Sequence, residues 1–461
     1  MPASSQPLDL PFSTIASMFL TTVSENAGVA FSRRRGENDW EGIEYDELAR
    51  RVEEIALGFE AWGIKPGERV GLTSENRLEW IESDLACVCS GIVDVPVFPI
   101  LTAEQLAYIF ADARVSTVIC SNAFQLRKMV VAAEQIPSLA RIILFDPAAI
   151  DTVVPDRQVR RTDESVVDVL SLDEVRVRGR DVRASGGRTL EELASSVTPD
   201  DLLTIIYTSG TTGHPKGVML SHANMTANIK GSAAIFPVRN DDIVLSYLPL
   251  CHAFERMAGF YTCFARGATI HFARSIETLV TDLGEVRPTL MTTVPRFLER
   301  FRERVEKNVR KGPEKKQKIF AWAVGTGGKW FEKMQEKGSV GPILSTTHGV
   351  ADRLVFAKIR ERTGNRLRYF ISGGAPLGRD VASFFFAAGM PIIEGYGLTE
   401  TSPVLTANQR TTTAKESRIG SVNDHRAVHT PTTNCGPRTC LASSMPTPTR
   451  ALRALVKWTC T

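Results

Sequence analysis

What the chain lacks narrows its possibilities first. No window of the 461 residues holds about 18 uninterrupted apolar positions, which argues against a membrane-spanning helix. The opening Met1-Pro2-Ala3-Ser4 has neither the basic nor the apolar region of a secretory leader, so a cytoplasmic chain is expected. Strong charge of either sign is also missing: 55 Lys+Arg against 52 Asp+Glu leave +3, and no nucleic-acid partner is expected. The eight cysteines form no CxxC pair, and no segment repeats at a fixed period. Cys87, Cys89, Cys120, Cys251 and Cys263 lie in apolar runs and read as reduced core residues. With 43% hydrophobic and 23% charged residues, collagen, coiled coil and disorder throughout are excluded. The length implies two or three packed lobes.

What is present alternates between two rhythms. Short branched or apolar runs at 69–73, 92–98, 116–120, 141–145, 202–207, 243–248, 268–272 and 289–293 read as strands, with helical spacing at 77–90, 103–111 and elsewhere between them. Strands separated by helices predict parallel sheets covered on both faces. The charged stretch 151–200, with Gly179 and Gly186-Gly187, reads as a surface excursion between two lobes.

One string carries most of the chemistry. Thr208, Ser209, Gly210, Thr211, Thr212, Gly213 and Lys216 follow the apolar strand 202–206, and glycine-exposed amides, hydroxyls and one ammonium suit a polyphosphate. It is not a Walker A loop, because Lys216 follows Pro215 and Gly217 stands where Ser or Thr should be. A flexible turn is the plain alternative.

The string resembles the phosphate-binding loop of the adenylate-forming superfamily, which comprises acyl- and aryl-CoA synthetases, luciferases and nonribosomal adenylation domains. Ile371-Ser372-Gly373-Gly374-Ala375-Pro376-Leu377 and Glu394-Gly395-Tyr396-Gly397-Leu398-Thr399-Glu400-Thr401 resemble two further family segments, in the same order. The resemblance implies an α/β fold: a large N-terminal domain with two parallel or mixed sheets covered by helices. It also implies ATP as substrate and Mg2+ held by Thr208 and Glu400. Lys216 and the loop amides then steady the β- and γ-phosphates. Gly373, Gly374, Ala375, Glu394, Gly395, Tyr396, Gly397 and Thr399 contact the nucleotide, the aromatic ring stacking on the base.

Leu248-Pro249-Leu250-Cys251-His252-Ala253-Phe254-Glu255-Arg256 resembles the segment near the acid and the acyl tunnel of long-chain acyl-CoA synthetases. His252 would sit beside the reacting carboxylate, with Ala258 and Gly259 on the tunnel wall. Lys216, His252 and Glu400 are the implied catalytic set, and a fatty acid and CoA are the implied partners. The segment 296–318 has ten basic and four acidic residues, with Phe297, Phe301 and Val305 at four-residue spacing. Two readings fit it: a solvated helix, or peripheral contact with an anionic membrane. No sequence feature specifies an oligomeric state.

The resemblance covers roughly 12–422, and residues 1–422 are read as an incomplete N-terminal adenylation domain. Residues 423–461 hold eight Thr, four Pro and three Cys, and carry five Lys+Arg against Asp424. They are expected to be an aberrant, disordered tail produced by a frameshift, with the family's β-rich subdomain incomplete and its C-terminal domain absent. On that expectation the chain is either an impaired ligase or a catalytically incompetent nucleotide- or fatty-acid-binding fragment.

Overall fold

The computed structural model describes residues 10–36, 39–208, 213–408 and 425–427. The expectations for the Ser209–Thr212 loop and for nearly all of 423–461 lie outside these residues.

Among the described residues two mixed sheets form. The first orders its nine strands His425–Ala427, Val404–Asn408, Ile392–Gly397, Tyr369–Ser372, Leu290–Thr293, Ile243–Ser246, Thr269–Phe272, Val29–Gly36 and Asp39–Glu44. Its middle is parallel, while the Ile392–Gly397/Val404–Asn408 and Val29–Gly36/Asp39–Glu44 pairs are antiparallel. The second sheet runs Lys216–Ser221, Leu202–Thr208, Val93–Val97, Arg69–Thr73, Thr117–Cys120, Arg141–Leu144, Val166–Ser171 and Gln158–Arg160. Each predicted strand forms, with ends shifted by at most a few residues.

Alternation of neighbouring residues explains the layering. Ile206 of the second sheet shares one buried cluster with Val244, Leu290 and Ile371 of the first, whereas their chain neighbours Ile205, Leu245, Met291 and Phe370 face separate outer clusters. The two sheets thus sandwich a common core and carry further helices outside it. The helical stretch 253–264 threads that shared layer with every residue from Ala253 to Phe264 buried, and its Glu255–Tyr261 part is wound as a π-helix. All five described cysteines are buried free thiols.

Two local expectations change. The 151–200 stretch is integral: Gln158–Arg160 and Val166–Ser171 extend the second sheet, and helix Leu172–Ala184 packs on helix Tyr45–Ala61. A Cβ on Gly179 would strike the Glu54 carbonyl, and one on Gly58 the Val175 carbonyl, so these glycines allow a close crossing rather than a turn. The charges also act there, in Arg176–Glu82, Arg180–Glu54 (3.1 Å) and Arg183–Glu53 pairs. Likewise 296–318 is not one helix, because Gly312-Pro313 separates Pro295–Arg310 from Glu314–Lys337. Leu298, Phe301 and Val305 face the core. No helix among the described residues is long and apolar enough to cross a membrane.

Candidate active site

Thr208 ends its strand half-buried and pairs across an antiparallel hairpin with exposed Lys216, the two residues facing each other at the hairpin mouth. Gly213 has φ +93°, a left-handed conformation that favours glycine. Two tyrosines fasten this mouth to helix Ala103–Asp112. Tyr207 Oη donates to Asp112 (2.5 Å), and Tyr108 stacks on His214 with ring centroids 4.7 Å apart.

The other two motif segments sit at strand ends of the first sheet. The Gly373 amide donates to the Thr293 carbonyl (3.2 Å), and a Cβ at Gly373 would lie 3.0 Å from the Phe254 ring. Gly374, at φ +80°, turns the chain toward helix Arg379–Ala387. Glu394 to Gly397 lie within the strand Ile392–Gly397, and the Glu394 carboxylate accepts the Leu377 amide (3.2 Å). That bond clasps the loop containing Ala375 against the neighbouring strand. Gly395 leaves open space between the Ser372 and Thr406 carbonyls, and a Cβ on Gly397 would meet the Pro403 carbonyl. Tyr396 is 46% exposed beside these glycines.

Thr399 and Glu400 occupy a short 3-10 turn lying alongside strand Lys216–Ser221. Helix His222–Ile235, which continues that hairpin, holds this turn from behind. Buried Asn228 donates through Nδ2 to the Val404 carbonyl (2.7 Å) and accepts the Val404 amide through Oδ1 (3.2 Å). Thr208, Lys216, Thr399 and Glu400 are thereby gathered on neighbouring elements.

His252 opens the buried helix. Its Nδ1 accepts the Phe254 amide (3.3 Å), its ring meets Phe98 edge-on at 6.4 Å, and desolvation lowers its pKa. Asn76 fixes the preceding turn by donating to the Leu248 carbonyl (2.7 Å) and accepting the Leu250 amide (3.0 Å). Ala258 is fully buried, and a Cβ on Gly259 would lie 2.6 Å from the Glu255 carboxyl, so this glycine faces a buried acid. Burial pushes Glu255 up to about 7, against the pull of the Ser246 and Thr292 hydroxyls. Tyr108, Asp112, Asn76 and Asn228 were not anticipated. Each acts through a long-range contact, and only the polar Asn228 within a largely buried helix gave any local signal.

For a divalent cation, Thr208 and Glu400 offer the hard oxygen donors that Mg2+ takes. Among the described residues no group of three or more His, Cys, Asp and Glu could hold a metal, so phosphate oxygens would complete the shell.

The family model for AMP-binding enzymes matches residues 24–433. Long-chain-fatty-acid–CoA ligase FadD15 of Mycobacterium tuberculosis is 30% identical over 413 residues, 88% of this chain and 63% of that protein. Long-chain-fatty-acid–CoA ligase 5 of Rattus norvegicus is 32% identical over 389 residues, covering 82% of this chain and 53% of the rat protein. The chain thus spans less than two thirds of the length of these relatives. Among solved structures, the adenylation domain of a Mycobacterium chelonae carboxylate reductase superposes with TM-score 0.66 at 22% identity, covering 86% of this chain and 59% of that one. ATP-bound MatB of Rhodopseudomonas palustris gives 0.59 at 20%, covering 87% and 63%. At such identities the likeness is one of fold, that of two helix-covered sheets in an N-terminal adenylation domain. By its family match and its relatives, the chain belongs to the AMP-binding enzyme family.

Proposed function

We propose that this chain activates a long-chain fatty acid at the expense of ATP. The acid's carboxylate oxygen attacks the α-phosphorus, the bond to pyrophosphate breaks, and acyl-adenylate forms. The thiol of CoA then attacks the acyl carbon, loses its proton and releases AMP. One observation carries the reading: the Thr208–Lys216 hairpin, the Gly373-Gly374 loop and the Thr399-Glu400 turn are tied together around the helix that His252 opens. The relatives' long-chain ligase names favour a fatty acid over an aryl acid.

In this reading Lys216, exposed at the hairpin mouth, reaches the outer phosphates as a point charge. Thr208 and Glu400 are the residues that would hold Mg2+ together with the triphosphate. Bound Mg2+ would neutralise phosphate charge, letting one anion approach another. Tyr396 presents its face to the adenine while Gly373 to Ala375 and Gly395 allow backbone to approach the ring. His252, kept neutral by its surroundings, adjoins the carboxylate without drawing it into a fixed ion pair. Residues near Ala258 and Gly259 form the acyl side.

The test is product identity. With palmitate, ATP, Mg2+ and CoA, chromatography should show AMP and palmitoyl-CoA, formed only when the acid is present. ADP as the product, or turnover indifferent to the acid, would refute the proposal.

A further inference from the structure

The dipeptide Glu255-Arg256 has no part in that chemistry, yet both side chains are 0% exposed. Charged residues are almost never fully buried unless partnered, and these partners lie in opposite directions. Glu255 accepts from the Ser246 hydroxyl (2.6 Å) and the Thr292 hydroxyl (2.5 Å), both on central strands of the first sheet. Arg256 donates to Asp84, to Asp94 (3.0 Å), to Thr204 Oγ1 (2.9 Å) and to Tyr261 Oη (3.1 Å). Asp94 and Thr204 are register partners on adjacent strands of the second sheet. One turn of chain therefore bolts the central helix to both sheets.

The bolts stand beside the proposed subsites. Thr204 lies on the strand that ends in Thr208, at the start of the phosphate loop. The Arg256 amide donates to the His252 carbonyl (3.1 Å), placing the guanidinium one helical turn from the acid-side histidine. Between them, Phe254 packs against Gly373 of the nucleotide loop. An apolar helix in this slot would be at least as stable, because buried ion clusters seldom gain net free energy over good packing. What the cluster adds is direction: a planar guanidinium fork bonded to three elements cannot rotate or slide.

We propose that Glu255 and Arg256 are positioning residues that lock His252 and the strand ending in Thr208 into one rigid frame, setting the distance between acid carboxylate and α-phosphate. The proposal rests on the adenylation reading for its chemistry, while the frame itself is measurable without turnover.

Two variants of the full chain test it. Arg256→Lys keeps the charge and loses the fork; Thr204→Val removes only the hydroxyl at the phosphate strand and serves if the first variant does not fold. In either, amides of 202–208 and 216–221 should exchange hydrogen about tenfold faster or more, while Arg141–Leu144, farther along the same sheet, keeps its protection. Acid-dependent adenylation per folded molecule should fall about 10²-fold in Arg256→Lys, the typical cost of a 1 Å misplacement, with KM for ATP held within about threefold. A merely structural role would lower the unfolding midpoint and leave kcat of the folded fraction intact. Unchanged exchange at 202–208 in the folded variants, or unchanged kcat, overturns the proposal. Wild-type protein without acid-dependent adenylation would instead refute the functional reading, and the exchange comparison would still decide the frame.

Discussion

Asn228→Ala should loosen the Glu400 turn by an amount that can be worked from the hydrogen bonds. The Asn228 amide makes two bonds to Val404, at 2.7 and 3.2 Å, and a longer one to the Thr401 carbonyl at 3.4 Å. Asn228 is 0% and Val404 3% exposed, so water replaces a lost partner poorly. Leaving a buried N–H and a buried C=O unpaired costs about 1–3 kcal/mol each, and partial hydration of the vacated space favours the lower half, about 3 kcal/mol together. That free energy corresponds to roughly a 10²-fold rise in the local opening constant. Native-state hydrogen exchange at the Val404 and Leu405 amides reads it directly, and Mg-ATP affinity should weaken in parallel. Asn228→Asp should be worse than Ala, because it sets a carboxylate oxygen against the Val404 carbonyl. Exchange at Val404 unchanged by Ala, or Asp milder than Ala, would refute the claim that this amide holds the turn.

Glu400→Gln should weaken Mg-dependent ATP binding more than metal-free binding in calorimetry; equal losses would remove Glu400 from the metal role. Gly397→Ala drives a methyl against the Pro403 carbonyl and should lower ATP affinity together with the melting temperature, whereas an unchanged melting temperature would mean the strand end relaxes freely. His222 is buried, its Nδ1 accepts the Ile15 amide (3.2 Å), and desolvation lowers its pKa to about 4. A depressed histidine pKa means the unfolded chain binds the proton first, so this contribution is whole above about pH 6.5 and is lost as pH falls toward 4. Its size is about 3 kcal/mol from the two pKa values. His222→Gln should flatten the stability difference between pH 7 and pH 5 in urea titrations, and an unaltered slope would contradict the assignment.

Much of this was legible in the chain because it is local. Strands such as Arg69–Thr73 and Leu202–Thr208 announce themselves by branched apolar runs, and the glycine-rich segments mark strand ends at 208, 372 and 397. What joins them was not legible. Glu255-Arg256 falls in a segment legible only by its resemblance, and the partners of the pair come from positions 84, 94, 204, 246 and 292, which no window contains. The same blindness affected 151–200, where arginines that look like solvated charge are matched to glutamates of distant helices. Gly179 illustrates the ambiguity of glycine, since the same residue serves a turn or a close helix crossing and only the neighbour decides.

The central claim is that this site activates an acid by adenylation, and isotope exchange from pyrophosphate into ATP tests it most directly, because exchange requires reversible acyl-adenylate formation and no CoA. Label should enter ATP when palmitate and Mg2+ are present, should not enter without the acid, and should fall strongly in Glu400→Gln. Exchange that is absent with long-chain acids, or that proceeds equally without them, would contradict the account.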